Sequence, residues 1–118
     1  SLILIGHDFT LLAEKTDHMT VMYCGQIIES GPTKELINSP WHPYTQALLT
    51  SLPGAWNIEH KLPLPSLKGS TPSIYHLPAG CYLGPRCPIA AGKCVIPPNL
   101  DRSTAHYVRC HFPLDAVN

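Results

Sequence analysis

The stretch that decides the fold is LILIGHDFTLLAEKTDHMTVMYCGQIIESGPTKELI, residues 2 to 37. It begins with four apolar residues that end at Gly6, a pattern typical of a strand buried on both faces of a parallel sheet. Asp8 then offers a good helix N-cap, and residues 9–18 carry apolar side chains at helical spacing. We therefore predict an α/β protein whose first strand is followed directly by a helix.

Two short strands after this helix form a predicted hairpin. Residues 19–24, MTVMYC, and residues 27–30, IIES, are strand-like, and Gly25-Gln26 turns the chain between them. Cys24 falls in the first strand, where we expect an ordinary core residue.

Two helices follow the predicted hairpin. Residues 33–38, TKELIN, predict a short helix with Thr33 as its cap. Residues 42–53, HPYTQALLTSLP, predict a longer helix, because Pro43 suits the first helical turn and Pro53 stops the helix. This helix has one apolar face, so we expect it to pack on its own domain.

Composition divides the chain near residue 39. Of the 13 prolines, only Pro32 lies in residues 1–38, and the others lie between Pro40 and Pro113. The proline-rich part has few periodic signals, so we expect it to be mostly irregular.

Charge and hydropathy exclude several classes of protein. Basic and acidic residues are equal in number, at 8 each, which argues against a nucleic-acid-binding domain. No apolar run reaches the ~18 residues that span a bilayer. The apolar start has no basic segment before it, so it is not a signal peptide. Because the chain opens on a strand without an initiator methionine, we expect it to be part of a longer protein.

Residues 2–37 resemble the C-terminal end of an ABC-transporter nucleotide-binding domain. The resemblance rests on the order of a strand, His7-Asp8, a helix that ends near Asp17, the strands VMYCG and IIESG, and PTKEL. In that family the histidine after the strand is the switch histidine of the H-loop. The resemblance implies that His7 contacts the γ-phosphate of ATP and helps to orient the attacking water, which is chemistry that suits an imidazole.

Most motifs of that ATPase are missing from the sequence. It holds no G-x-x-x-x-G-K-[ST] phosphate loop, Q-loop, signature motif or Walker B carboxylate. The family places all of these before the switch histidine, and they supply the phosphate-binding amides and the Mg²⁺ ligand. We therefore expect this chain alone not to hydrolyse ATP, whereas its parent protein would bind ATP and Mg²⁺ as an ABC-type transport ATPase.

The helix HPYTQALL resembles the start of the C-terminal extension in one ABC subfamily, the oligopeptide and dipeptide importer ATPases. We accordingly divide the chain into residues 1–38, the end of the nucleotide-binding domain, and residues 39–118, the extension. Short stretches such as LPAGC, LGPRCP and CHFPL are similar to the branch linked to uptake of, and resistance to, cationic antimicrobial peptides. We expect His42 to cap or pack rather than to bind a metal.

Four cysteines of the extension allow several interpretations. Cys81, Cys87, Cys94 and Cys110 follow the pattern C-x5-C-x6-C-x15-C. One interpretation is two disulfides, which would need an oxidising compartment. Another is four unligated cysteines in a small core, which does not explain why they cluster in the sequence. Zinc sites favour shorter gaps such as C-x2-C or C-x4-C. An iron–sulfur cluster tolerates wider gaps, because each thiolate binds a different iron.

The resemblance adds a preference among these interpretations. In the peptide-importer subfamily this extension is associated with a [4Fe–4S] cluster, so the four cysteines are implied to hold one, with zinc as the alternative. Such a group would staple the irregular, proline-rich tail into a small fold. His106 and His111 are spare candidate ligands, and Arg86 and Arg109 are candidates to offset thiolate charge.

The resemblance also implies a function. The parent would couple ATP hydrolysis to peptide transport, as a peripheral subunit at the cytoplasmic face of the bacterial inner membrane. Its partners would be transmembrane permease subunits, a second ATPase subunit in an ABC heterodimer and, indirectly, a periplasmic peptide-binding protein, with no nucleic acid. A hypothesis from another class is a free-standing iron–sulfur or zinc module that acts in regulation or assembly without ATPase activity.

Overall fold

The computed structural model describes residues 2–6, 8–50, 69–100, 102 and 104–114. In chain order the elements are α1 (Phe9–Lys15), β1 (His18–Tyr23), β2 (Gln26–Pro32), α2 (Thr33–Asn38), α3 (Pro43–Thr50), the 3₁₀ turns Gly84–Arg86 and Gly92–Val95, and β3 (Tyr107–Val108). The described strands form one antiparallel sheet in the order β1-β2-β3. The α/β class is thus confirmed at this level.

The predicted hairpin is present, with its two-residue turn one position earlier than expected. β1 ends at Tyr23, which pairs with Gln26, so the loop consists of Cys24 and Gly25. Their φ angles are 50° and 80°. Two consecutive left-handed residues are the pattern of a type I′ turn, whose twist matches that of the strands it joins. Our assignment of Cys24 to the strand is therefore wrong, although its side chain does pack against the core.

The core lies on one face of the hairpin. β1 alternates between exposed and buried residues, as expected for a strand with one covered face. Its inward side chains pack with residues from β2, from α2 and from the position directly before the first 3₁₀ turn; the buried cluster is Met19, Val21, Tyr23, Ile28, Leu36 and Leu83. Leu83 belongs to the cysteine region, so this region contributes directly to the core of the hairpin.

β2 is buried on both faces. Four successive residues, Ile28 to Gly31, are buried. The register shifts between Val21 and Met22, so that Ile28 has no direct partner in β1 and the strand bulges there. Successive side chains of a strand point to opposite faces. A second layer therefore covers β2 on the side away from the core, and this layer comes from the proline-rich part of the chain.

The first predicted strand is absent. Residues 2–5 are extended without strand pairing, and their side chains are exposed, to 96% for Ile5. A strand is stable only beside hydrogen-bonded neighbours. Within the described ranges the strands pair only with one another and only in antiparallel fashion. The prediction of a parallel sheet is therefore wrong for the described part of the chain.

The predicted helices form with small changes at their ends. Asp8 caps α1 as predicted, since its side chain accepts a hydrogen bond from the amide of Leu11. Thr33 does not cap α2; it is the first helical residue, and its hydroxyl lies 3.2 Å from that of Thr16. α3 begins at Pro43 as predicted, whereas the predicted stop at Pro53 lies outside the described residues.

The proline-rich part adds one strand that the sequence did not predict. β3 has two residues and pairs with β2, so that Val108 lies opposite Glu29 and Tyr107 opposite Ser30. Otherwise, residues 69–100 contain only turns and the two 3₁₀ segments, in agreement with the expected irregular structure. None of the described helices is long and apolar enough to cross a membrane.

Candidate functional site

The predicted site residues differ in what the structure says of them. His7, the predicted switch histidine, lies outside the described residues. The helix that it precedes is described, and Asp8 caps that helix directly after it. The assignment of His7 therefore stays a prediction.

The four cysteines of the tail come together from three segments. All of them are free thiols and partly buried. The amide of Cys81 donates to the carbonyl of Cys94 at 2.9 Å, so these two segments lie side by side. Gly80 makes this approach possible: its φ is +77°, and a Cβ there would lie 2.3 Å from the carbonyl oxygen of Cys94.

The protonation of these thiols reflects their common location. Burial, with smaller contributions from charge on Cys81, Cys87 and Cys94, raises the pKa of Cys110 to about 11. Burial also raises the pKa of Cys87, with smaller contributions from Cys81 and Cys94. Such mutual effects require that the four sulfurs lie within electrostatic range of one another. Without a metal, Cys87 and Cys110 are protonated at neutral pH.

The donor chemistry of this cluster suits a thiophilic group, and its geometry is not that of a preformed single-ion site. Soft thiolates select zinc or iron–sulfur centres, and four of them meet the ligand count of either. Yet in the part of the chain that the structure describes, no three His, Cys, Asp or Glu side chains are arranged to hold a metal ion. The iron–sulfur centre, zinc and the stapling of the tail therefore remain predictions.

The spare ligands and countercharges predicted near the cysteines have other partners. His106 binds Glu29 through its Nε2 atom, and Nε2 of His111 lies 2.6 Å from the carbonyl oxygen of Ile96. Arg109 donates through Nε to the carbonyl of Ile27 at 2.9 Å. Arg109 and His111 thus bind backbone carbonyls of other segments, next to Cys110 in the sequence.

Arg86 is likewise directed at the hairpin. It donates to the Tyr23 hydroxyl at 3.0 Å, and its guanidinium carbon lies 6.0 Å from the centre of that ring. Its contact with Tyr23 links the segment between Cys81 and Cys87 to the end of β1.

A buried carboxylate, which sequence reasoning missed, organises the second layer on β2. Glu29 is fully buried, and its two oxygens accept the amides of Trp41 and His42 at 2.8 and 2.9 Å. Nε2 of His106 lies 2.5 Å from the same carboxylate and must donate to it, because an ionised carboxylate can only accept. The signal in the sequence was a charged residue inside the strand IIESG, at a position that the hairpin pattern would leave on the outer face.

Glu29, His106 and Trp41 form one unit, which we call the Glu29 clasp. The rings of Trp41 and His106 stack at a centroid distance of 3.9 Å and an angle of 10°. Gly31 leaves room for them, since a Cβ there would lie 3.0 Å from the His106 ring. The clasp joins β2, the start of α3 and the segment before β3.

His42 caps α3, as the sequence predicted. Its Nδ1 atom accepts the amide of Tyr44 at 3.1 Å, so this nitrogen carries no proton. Burial lowers the pKa of His42 to about 4, and this outweighs the opposing effects of Glu29 and of a hydrogen bond to the Arg109 backbone. The Arg109 amide is already bound to Ile28, so that bond goes from Nε2–H of His42 to the Arg109 carbonyl. His42 is therefore a neutral cap that also touches the tail.

The sequence of this chain is similar to a known family and to several known proteins. Residues 28–94 match the family model of the oligopeptide/dipeptide transporter C-terminal region. The chain is 44% identical over 116 residues to the peptide transport system ATP-binding protein SapD of Escherichia coli O6:H1, covering 98% of this chain and 35% of that protein. It is 48% identical over 116 residues to the dipeptide transport ATP-binding protein DppD of Haemophilus influenzae, covering 98% of this chain and 34% of that protein. The chain thus spans about a third of the length of these relatives.

Proposed function

The chain belongs to the family of oligopeptide/dipeptide transporter C-terminal regions, and on this premise we propose that it forms that region of an ABC-type ATP-binding subunit for peptide transport. The observation that carries the proposal is similarity over 98% of the chain to subunits of this kind. The His-Pro-Tyr-Thr segment supports it physically, because His42 and Pro43 start α3 beside the buried Glu29.

In this proposal the parent subunit hydrolyses ATP with Mg²⁺, and His7 is its switch histidine. The sequence around His7 supports this role, because His7 follows an apolar run and directly precedes Asp8, which caps α1. The sequence of this chain holds no phosphate loop. Residues 1–118 alone are accordingly proposed to lack ATPase activity.

The four cysteines are proposed to hold a [4Fe–4S] cluster, with zinc as the alternative. Their gathering in one place supports a shared ligand. A cluster that gives each thiolate its own iron tolerates wider gaps between cysteines in the sequence than one tetrahedral ion does. When bound, such a group would supply a covalent cross-link between the three cysteine segments.

The proposed partners are those of a peripheral ATP-binding subunit: transmembrane permease subunits and a second ATPase subunit, at the cytoplasmic face of the bacterial inner membrane. The two relatives are named as ATP-binding proteins of peptide transport and of dipeptide transport. Cationic antimicrobial peptides are the finer proposal for the substrate.

Two experiments test these proposals separately. The full-length parent gene, reintroduced into cells that lack it, should restore ATP-dependent peptide uptake, and a failure to do so would contradict the transport role. Anaerobically purified full-length protein should contain iron and acid-labile sulfide, and should lose them in the variant with all four cysteines replaced by serine. Stoichiometric zinc without iron would select the alternative, and neither metal would refute the cysteine site.

A further inference from the structure

Charge is divided unequally between the two halves of the chain. Residues 1–59 hold 2 basic and 6 acidic residues, a net charge of −4. Residues 60–118 hold 6 basic and 2 acidic residues, a net charge of +4, and residues 60–100 contain no aspartate or glutamate. Such an asymmetry in a chain of zero net charge points to a negatively charged partner for the second half.

One surface loop of this basic half is apolar. In residues 88–97, PIAAGKCVIP, all but Ile89 and Cys94 are exposed, and the one charged side chain is that of Lys93. Val95 is 69% exposed and Ile96 is 58% exposed. Single apolar side chains on a surface need no explanation, but adjacent ones are typical of sites that contact a partner or a membrane.

The backbone of this loop is fixed from its inner side. The carbonyl of Cys94 accepts the amide of Cys81 at 2.9 Å, and the carbonyl of Lys93 accepts the amide of Ile96 at 3.1 Å, which closes a turn. Val95 and Ile96 therefore extend into solvent from a backbone that is already held. A surface presented in this way loses less conformational entropy when it docks.

A third apolar side chain lies in the neighbouring segment. The Nε2 atom of His111 lies 2.6 Å from the carbonyl oxygen of Ile96, so the chain around His111 runs beside the loop. Phe112 is 39% exposed, and its ring meets that of His111 edge-on at 6.4 Å. We call Val95, Ile96 and Phe112 the apolar patch. Lys93 adjoins this patch within one turn of the chain.

A bilayer that contains anionic lipid fits both properties of this surface. Its headgroups attract lysine and arginine side chains, and the boundary below them accepts aliphatic and aromatic ones. A nucleic acid offers the negative charge without an apolar layer. Residues 2–5 are also apolar and exposed, but they belong to the acidic half, which an anionic surface repels.

We propose that the apolar patch docks on the surface of a bilayer with anionic lipid, where Val95 and Ile96 enter the headgroup boundary and Lys93 meets the phosphates. None of the described helices is long and apolar enough to cross a membrane, and the proposed contact stays at the interface. Docking of this kind needs no metal on the cysteines. It is also separate from the transport role proposed above, which rests on similarity to other proteins.

Sedimentation of the full chain with lipid vesicles tests this proposal. The chain should bind vesicles of phosphatidylcholine and phosphatidylglycerol in equal parts, and binding should weaken on pure phosphatidylcholine and at high salt. Ile96→Ser should lower the partition coefficient by roughly 5- to 10-fold, because part of the transfer free energy of an apolar side chain is lost. Its matched control is Ile3→Ser, the same change at a side chain that is 84% exposed in the acidic half. This control should bind as the unaltered chain does.

A second pair of variants tests the charge. Lys93→Gln should weaken binding by roughly 5-fold, the usual effect of one basic residue at an anionic surface. Lys34→Gln, at an exposed lysine of α2, should leave it unchanged. Each of these substitutions is at an exposed side chain, so the variants should fold.

Three outcomes would overturn the proposal. Failure of the chain to bind mixed vesicles would leave a protein as the occupant of the patch. Equal losses in Ile96→Ser and Ile3→Ser would assign the binding to residues 2–5 or to general stickiness. Binding of double-stranded DNA as tightly as of vesicles, with both unaffected by Ile96→Ser, would assign the basic half to nucleic acid. None of these outcomes would contradict the transport role, which the uptake experiment tests.

Discussion

The imidazole of His106 lies 2.5 Å from the carboxylate of Glu29, although 77 positions separate the two residues in the chain. Both side chains are buried. The pair joins the hairpin that resembles an ATPase domain to the tail that carries the cysteines. Contacts across the boundary that we predict at residue 39 are therefore strong, and the boundary itself stays a prediction.

We predict that His106→Ala destabilises the chain substantially. The substitution removes one of three donors from a buried carboxylate and the stacking partner of Trp41. Together these losses should lower the free energy of unfolding by about 2–4 kcal/mol, measured by urea denaturation at pH 7.5. His76→Ala, at an exposed histidine, is the control and should change it little. Equal stability of the two variants would mean that the clasp does not hold the tail.

His42 should make the stability depend on pH. Its pKa is about 4 in the fold and 6.5 in the unfolded chain, so the unfolded chain takes up the proton first as the pH falls. The stabilisation is present above pH 6.5 and is lost as the pH falls toward 4. A shift of this size corresponds to about 3 kcal/mol.

The variant His42→Asn isolates this effect from other titrating groups. Asparagine is a good N-cap and does not titrate in this range. Its side-chain oxygen can take the place of Nδ1 and accept from the Tyr44 amide, whereas the bond from Nε2 to the Arg109 carbonyl is lost at every pH. We expect urea denaturation at a series of pH values to show a smaller loss of stability in the variant, by about 3 kcal/mol between pH 7 and pH 4. Parallel curves for the two proteins would contradict a neutral, buried His42.

Local rules account for the parts of the fold that the sequence predicted. Asp8 caps α1, and Pro43 opens α3, because both effects involve residues within one helical turn. The β3 strand and the burial of Glu29 depend on contacts with residues that are distant in the chain. A strand of two residues is also too short to show an alternating pattern in the sequence. The strand predicted at residues 2–5 is absent for a related reason. Their apolar pattern predicts a strand between neighbours, and the described part of the chain supplies none.

The candidate site shows the same division. The sequence identified the four thiols by spacing and His42 by its place before a helix, and the structure gathers the thiols and confirms the cap. The groups that hold the site, Glu29 and Arg109, act through backbone contacts between distant segments. Sequence reasoning considered Arg109 as a candidate to offset thiolate charge, and it could not place the carbonyl of Ile27 beside this side chain.

Gly80→Ala should disturb the cysteine cluster more than an ordinary glycine substitution does. Gly80 has a positive φ, and an added Cβ would collide with the backbone of Cys94 and Val95 at 2.3 to 2.6 Å. Gly69→Ala is a matched control, since its φ is +70° but its Cβ would meet nothing within 4 Å.

The two glycine variants separate strain from collision. Gly69→Ala carries only the cost of a left-handed alanine, about 1 kcal/mol. Gly80→Ala adds backbone displacement and should cost at least about 1 kcal/mol more, as collisions in packed regions do. Alkylation of the thiols, followed by mass spectrometry, should also be faster at Cys81 and Cys94 in Gly80→Ala. If both variants behave alike, the close approach of these segments is not needed for the fold.

His7 is predicted to act in ATP hydrolysis by the full-length subunit. If His7 is the switch histidine, His7→Ala should lower the rate of ATP hydrolysis by roughly 100-fold or more, because a contact to the developing charge of the γ-phosphate is lost. Nucleotide binding should change little, since phosphate-loop amides and Mg²⁺ supply most of the affinity in this kind of ATPase. Turnover and the affinity for a fluorescent ATP analogue measure the two effects. Asp8→Asn is the control: it alters the next residue but keeps a good cap for α1, so turnover should persist. Unchanged hydrolysis in His7→Ala would remove the switch assignment, and equal loss in both variants would attribute the effect to the start of α1 rather than to the imidazole.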